Sequence, residues 1–330
     1  MQRYTFFQNQ LGNHAQLGIK FYFLNEQGDL IREGGFNESG KMPMASVKKI
    51  AIALCVLKKI FESNDYSLQD TIKIEDNQFS PGPPWNPLDR YFFTPWNTEQ
   101  SKSVDELITI MLQNSDNTAT DVLINYVGGI EAINSFVKDL GIDGYNLTVN
   151  SKKLLSDYYQ FSGEKTIGGI FQVLFEFSHA YHLRPTEKSM VIQEQDACTP
   201  DGMSNLLKLI VIESARNKQT WLSKASQLIY ERMQLCVTAN DLVRAGSKKF
   251  SEHISYIGDK NGNFGGVNND SAFVKFENGN TLILSIFTCL SSQEFQIRSK
   301  IIADLTLHIL EQNKDCFINA GDYTLQAVKN

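Results

Sequence analysis

Apolar positions recur with two different periods along the chain, and the change of period separates its ends from its middle. Residues 17–24 are rich in aromatic and branched side chains that partly alternate, Asn25-Glu26-Gln27-Gly28-Asp29 supplies turn chemistry, and residues 30–36 return. That pattern predicts a β-hairpin. From Ser46 to Phe61 the spacing becomes helical, with Ile50, Ala53, Leu54, Leu57 and Phe61 on one stripe of a strongly buried helix. Pro81, Pro83, Pro84, Pro87 and Pro95 then crowd residues 78–97 beside Trp85 and Trp96, which predicts a stiff loop.

Helical spacing resumes at Ser103, an N-cap with Glu106 three residues on, and again from Thr118 to Tyr126 before Gly128-Gly129. Further helices are expected over 130–140, 167–181, 200–213 and 223–233. Near the C-terminus the period returns to two, so that 253–258, 271–277 and 281–290 read as strands, the last two joined by the hairpin signal Asn278-Gly279. A long helix over 293–311 closes the chain. Strands at both ends with helices between them predict an α+β fold in which the termini share one antiparallel sheet. The sheet lobe comprises 1–45 and 215–330, the helical lobe comprises 46–214, and a site belongs in the cleft between them.

Composition narrows the function classes. With 42% hydrophobic and 21% charged residues the chain has the makeup of a folded protein and not of a disordered one. A net charge of −6 argues against nucleic acid as partner, because phosphate binding needs a clustered cationic surface. No apolar run approaches the ~20 residues that span a bilayer, and residues 1–12 lack the basic-then-apolar pattern of a signal peptide. Five cysteines, odd in number and widely spaced, read as buried free thiols. His179 and His182 share a face of a predicted helix but have no third ligand nearby, so no metal is expected.

Three short motifs occur in order: Ser46-Val47-Lys48-Lys49, Ser115-Asp116-Asn117 and Lys260-Asn261-Gly262. Ser-x-x-Lys alone is a weak signal, and it recurs at Ser135 to Lys138 and Ser162 to Lys165. Context separates the copies. Ser46 opens the apolar helix behind Pro43, where free N–H groups and the helix dipole stabilise a developing oxyanion. Lys49, one turn on, shares its face and can take the hydroxyl proton, whereas Ser135 and Ser162 read as solvent-facing. Ser115 and Asn117 sit in a bend between helices and can both point into the cleft, although an Asx-type cap before Thr118 explains the same residues. Lys260 stands at a strand end before a Gly-rich loop, 261–266, and can face an anionic substrate group.

The trio resembles the signature of class A β-lactamases and penicillin-binding proteins. The flanks extend the likeness. The run Met111 to Ala119 is similar to that family's helix junction, and Asp196 to Met203 to the segment that closes its Ω-loop. Leu242 to Gly246 resembles the stretch carrying a strand-proximal arginine, and Gly258 to Gly262 with 266–274 resembles the third-motif strand and its return. The likeness covers about residues 17 to 312. It implies a β-lactamase-like fold and a small-molecule β-lactam, amide or ester substrate, with no metal or organic cofactor. It also implies a monomer, in the periplasm or secreted. By the same resemblance Ser46 attacks the carbonyl, Lys49 and Ser115 relay protons, and Asn117 holds the acyl amide. Lys260 and Arg244, with Asn261 and Gly262 beside them, receive the substrate carboxylate, and the backbone N–H groups of Ser46 and Asn263 form the oxyanion hole.

Two departures change what to expect. Asn261 replaces the family's Thr or Ser and removes a hydroxyl from the carboxylate site. The family's deacylating glutamate has no counterpart in pattern: residues 145–160 hold no glutamate, and the 78 residues between Asn117 and Asp196 leave room for an inserted helix near 166–183. Glu164, Glu187 and Glu194 are the remaining candidates. Four readings stay open: an active serine hydrolase, a D-alanyl peptidase or esterase, a β-lactam-binding sensor that is acylated and stays so, and a scaffold without catalysis, against which the intact Ser46, Lys49, Ser115 and Asn117 speak.

Overall fold

The computed structural model describes residues 1–80, 82, 86–89, 100–159, 196–216 and 218–318. Helix α1 (Gln2–Leu11) precedes strands β1 (Gln16–Leu24) and β2 (Leu30–Phe36). Strand β3 (Met42–Pro43) and a 3-10 turn, Ala45–Lys48, lead into α2 (Lys49–Glu62). The middle of the chain holds β4 (Thr71–Ile74), β5 (Gln100–Ser103), α3 (Val104–Gln113), α4 (Asn117–Tyr126), α5 (Ile130–Asp139), β6 (Asn146–Leu147) and α6 (Ser151–Tyr159). After it come β7 (Asp196–Cys198), α7 (Pro200–Ala215), α8 (Trp221–Gln234) and α9 (Val243–Ser247). Strands β8 (Ile254–Phe264), β9 (Val267–Phe276) and β10 (Thr281–Cys289) precede the closing helix α10 (Phe295–Gln312).

Five strands form one antiparallel sheet in the order β2-β1-β10-β9-β8, so both chain ends share it as expected. Its two faces are both covered. Ile19, Phe21, Phe23, Leu282, Leu284 and Ile286 pack with Ile302 and Leu305 of α10 and with Leu11 of α1. Tyr22, Leu24, Ile283 and Phe287 face the other way, into the cluster built by α2, α3, α4, α7 and α8. β1 is buried on both sides and has no solvent face, which is why residues 17–24 alternate only in part. Each such side chain, fully buried, contributes about 1.5–3 kcal/mol. Helix α2 is apolar all round and is buried from Lys49 through Leu57, as a central core helix must be. Helix α7 lies directly on the sheet: Tyr22 donates to Asp201 Oδ1 at 2.9 Å and Ser204 to the Lys20 carbonyl at 3.2 Å.

Several elements depart from expectation for identifiable reasons. Helix α1 buries only Phe7 and Leu11, too few apolar positions to mark a period; Tyr4 and Phe7 pack on His308 of α10. The strand expected over 253–258 runs on to Phe264, and the expected Gly-rich loop contracts to Gly265-Gly266, both in the left-handed region (φ 34° and 38°). Asn261, Gly262 and Asn263 pair with Asp270, Asn269 and Asn268, so polar residues occupy both strands where the sequence reads as loop. Helix α6, between Asn150 and the undescribed segment, was not expected either. The helix expected over 167–181, the inserted segment, His179 and His182, and most of the proline-rich stretch lie outside the described residues. All five cysteines are buried, and none forms a disulfide.

Candidate active site

Between Met42 and Leu57 every residue is buried except Ser46, which is partly exposed. It sits in the 3-10 turn at the head of α2, one turn earlier than the α-helix itself begins. The turn is held from three sides. Met44 N–H donates to the Asp196 carbonyl at 2.9 Å, and β3 pairs with β7. The Asn269 side chain on β9 donates to the carbonyls of Pro43 and Met44 at 2.7 and 3.2 Å. Ala45, just before the serine, has φ 49°, a left-handed conformation that costs an L-residue roughly 1–2 kcal/mol and is sustained by these surroundings. β8 lies close against the turn at Gly262, whose neighbour Asn263 is partly exposed. Ser135, the second Ser-x-x-Lys serine, is on the exposed side of α5; Ser162 lies outside the described residues.

The second motif forms the bend between α3 and α4. Ser115 takes φ 63°, which turns the chain sharply. Asp116, fully buried, caps α4 by accepting from Ala119 N at 2.8 Å and accepts from Leu88 N at 2.7 Å and Asp89 N at 3.1 Å. The motif is thus a helix cap, and the side chains that flank Asp116 on either side both accept from Lys49.

Around Ser115 the three motifs meet. Lys49 Nζ donates to the Ser115 carbonyl at 2.6 Å, to Ser115 Oγ at 3.2 Å and to Asn117 Oδ1 at 3.0 Å. Lys260 Nζ donates to the same Ser115 Oγ at 3.0 Å and to the Asn261 carbonyl at 2.8 Å. Both amines have 0% exposure. Burial drives the Lys49 amine well below the ordinary lysine range, and the neighbouring Lys260 charge adds to it; burial also lowers Lys260. Three acceptors around Lys49 match the three protons of an ammonium, so only its neutral form has a lone pair to offer. A hydroxyl flanked by two desolvated amines is suited to passing protons between them.

The remaining candidates divide. Asn261 is buried and clasped by Thr238: its Nδ2 donates to the Thr238 carbonyl at 2.8 Å and its Oδ1 accepts from the Thr238 hydroxyl at 2.6 Å. Arg244, expected beside Lys260 as a carboxylate receptor, instead forms a fork on Asp259 at 2.8 and 2.9 Å. Its Nη2 also donates to the carbonyls of Gln234 and Ile257 at 3.2 and 3.0 Å. Asp259 is fully buried and needs a cation, which explains the arginine's position.

Sequence reasoning missed two carboxylates and a lysine. Asp89, buried in the proline-rich stretch, accepts from Asn117 N at 3.0 Å, Thr118 N at 2.7 Å and the Thr118 hydroxyl at 2.9 Å, and so grips the second motif. Burial, then the Asp116 charge, raise its carboxyl well above the usual range. Asp121 accepts from Ser151 N and Lys152 N at 2.7 and 2.8 Å and docks α6 on α4. Lys48 forms a buried ion pair with Asp196 at 3.0 Å, tying the Ser46 turn to β7. No local pattern marks these roles, because each joins residues at least 28 apart in the chain. Glu164, Glu187 and Glu194 lie outside the described residues.

The chain is similar to β-lactamase VEB-1 of Pseudomonas aeruginosa, with 23% identity over 295 residues covering 88% of this chain and 83% of that protein. It is also similar to a β-lactamase of Bacteroides uniformis, with 32% identity over 147 residues, 44% of this chain and 46% of that one. Among solved structures, a β-lactamase from Chitinophaga pinensis superposes with a TM-score of 0.69 at 17% identity, covering 94% of this chain and 98% of that one. The reconstructed Gram-negative ancestor of class A β-lactamases gives 0.69 at 18% identity, covering 94% and 98%. The fold is therefore that of class A β-lactamases. A sequence profile described as the Beta-lactamase enzyme family matches residues 6–312, nearly the whole chain, and with the motifs converging on Ser115 this protein belongs to that family.

Proposed function

We propose that this protein is a serine acyl hydrolase that opens β-lactams or related amides and esters through an acyl-enzyme on Ser46. The observation that carries the reading is the pair of hydrogen bonds that Ser115 Oγ accepts from Lys49 and Lys260, two fully buried amines drawn from two different motifs. In this reading neutral Lys49 accepts the Ser46 proton as the serine oxygen attacks the carbonyl. Ser115 passes a proton to the leaving nitrogen or oxygen, and its own is replaced through the amine contacts. The backbone N–H groups of Ser46 and Asn263 stabilise the oxyanion, and Asn117 holds the acyl amide. The substrate is a small molecule, and among the described residues no helix is long and apolar enough to cross a membrane. A location outside the cytoplasm belongs to the same reading and rests on the family resemblance.

Slow deacylation is the second part of the proposal. The stretch 145–160, where the family's glutamate is expected, has none. Loss of a general base typically slows the step it serves by about 10²–10⁴-fold. Incubation with a fluorescent penicillin, followed by intact mass over time, tests both parts. A persistent adduct of one acyl group per chain is expected, and absence of any adduct together with absence of hydrolysis would overturn the assignment.

A further inference from the structure

Substrate carboxylates are recognised by side chains that offer N–H or O–H donors, and at the Lys260 end of this site Lys260 Nζ, Asn261 Nδ2 and the Thr238 hydroxyl each donate within the protein. The Thr238 backbone carbonyl can only accept, so the group of Asn261 facing it at 2.8 Å must be the Nδ2 amine. The orientation of the amide is thereby settled. Its Oδ1 accepts from the Thr238 hydroxyl at 2.6 Å and lies 3.4 Å from Lys260 Nζ. Asn261 therefore turns an acceptor, not a donor, toward the cation. Lys260 itself is supplied by the Asn261 carbonyl at 2.8 Å and Ser115 Oγ at 3.0 Å. Arg244, the other cation of this region, is forked on Asp259.

An entering carboxylate would meet the Oδ1 lone pairs, would have to displace acceptors built into the protein, and would find the Thr238 hydroxyl already donating to Asn261 Oδ1. An uncharged group asks for none of these partners. Within the serine hydrolase reading above, on which this inference rests, we propose that the Thr238–Asn261 clasp sets the substrate class: acyl compounds whose leaving side carries no free carboxylate at the Lys260 end, such as neutral esters and amides. Thr238 and Asn261 act as specificity-determining residues.

The test compares acylation of Ser46 by benzylpenicillin and by its methyl ester, reading kcat/KM or the second-order labelling rate on the full chain. The expected ratio of acid to ester lies within about threefold of one. Asn261→Thr, which replaces the clasp with a hydroxyl, should raise that ratio at least about tenfold, the smaller effect of a hydrogen bond to a charged group. A wild-type ratio above about 10² in favour of the acid overturns the inference while leaving Ser46 acylation intact. So does an Asn261→Thr protein that melts normally yet keeps the wild-type ratio. If neither compound acylates Ser46, the serine hydrolase reading itself fails and the inference falls with it. Should Asn261→Thr not fold, the wild-type ratio alone decides.

Discussion

Gly262 and Ser46 approach so closely that no side chain fits between them: a Cβ on Gly262 would stand 2.6 Å from the Ser46 amide nitrogen and 2.8 Å from the Met44 carbonyl oxygen. The obstacle is backbone on both counts, so it cannot swing away. Gly262→Ala should therefore push β8 off the serine turn, lowering stability by about 1–3 kcal/mol, as overpacking does. It should also slow Ser46 labelling, because the Ser46 and Asn263 N–H groups separate. Urea unfolding and labelling kinetics on the same preparation check both effects, and a variant with normal stability and rate would contradict the contact.

Ser46 is singled out by exposure and by its place at the head of α2. Ser46→Ala should abolish covalent labelling by a fluorescent penicillin, whereas Ser135→Ala and Ser162→Ala should leave it intact. Labelling that survives in Ser46→Ala would require another nucleophile.

Lys49 should impose a pH dependence on acylation. Its folded pKa is lowered, first by burial and then by Lys260, so the neutral amine accumulates, and acylation rises, as pH climbs through the folded value. The plateau should come below the ordinary lysine pKa of about 10.4. The same shift makes the unfolded chain the tighter proton binder, so this group's contribution to stability increases with pH between the folded and unfolded values. Lys49→Ala should slow acylation at least ~10²-fold and remove the Lys49 limb of the rate profile. A stopped-flow series of wild type and variant decides it; an unchanged profile would show that Lys49 titrates without taking part.

Asp89 holds the backbone of the second motif from a loop that precedes it by 28 residues. In Asp89→Asn one carboxylate oxygen becomes a donor facing N–H groups, which should cost about 1–3 kcal/mol in chemical unfolding. Acylation should slow as well, since Asn117 and Ser115 lose their anchor. Asp89→Glu, tested alongside, should recover part of the rate if the contact is what matters.

Deacylation is expected to limit turnover. Penicillin hydrolysis should show a burst equal to the enzyme present and then a slow steady state. Rapid multiple turnover with no adduct visible by mass would refute slow deacylation and direct mutagenesis to Glu164, Glu187 and Glu194.

Local features of this protein were legible without coordinates. The period of the apolar residues marked α2 and the hairpins, and Ser103 with Glu106 marked the start of α3, where the capping box forms. Ser46 and Lys49 stood out as candidates by local signals as well: one helical turn separates them, and the apolar helix they open sets them apart from the other Ser-x-x-Lys copies. Tertiary structure decided everything that depends on pairs distant in the chain. The continuation of β8 through Asn263 needed Asn268, Asn269 and Asp270 of β9 as pairing partners, and α1 needed α10 to pack upon. Arg244 turned to Asp259 because a buried carboxylate had to be paired, a demand invisible until the sheet buried it. Asp89 and the Thr238–Asn261 clasp belong to the same class: a polar contact across tens of residues leaves no period in the sequence, and its energy exists only once folding has removed both partners from water.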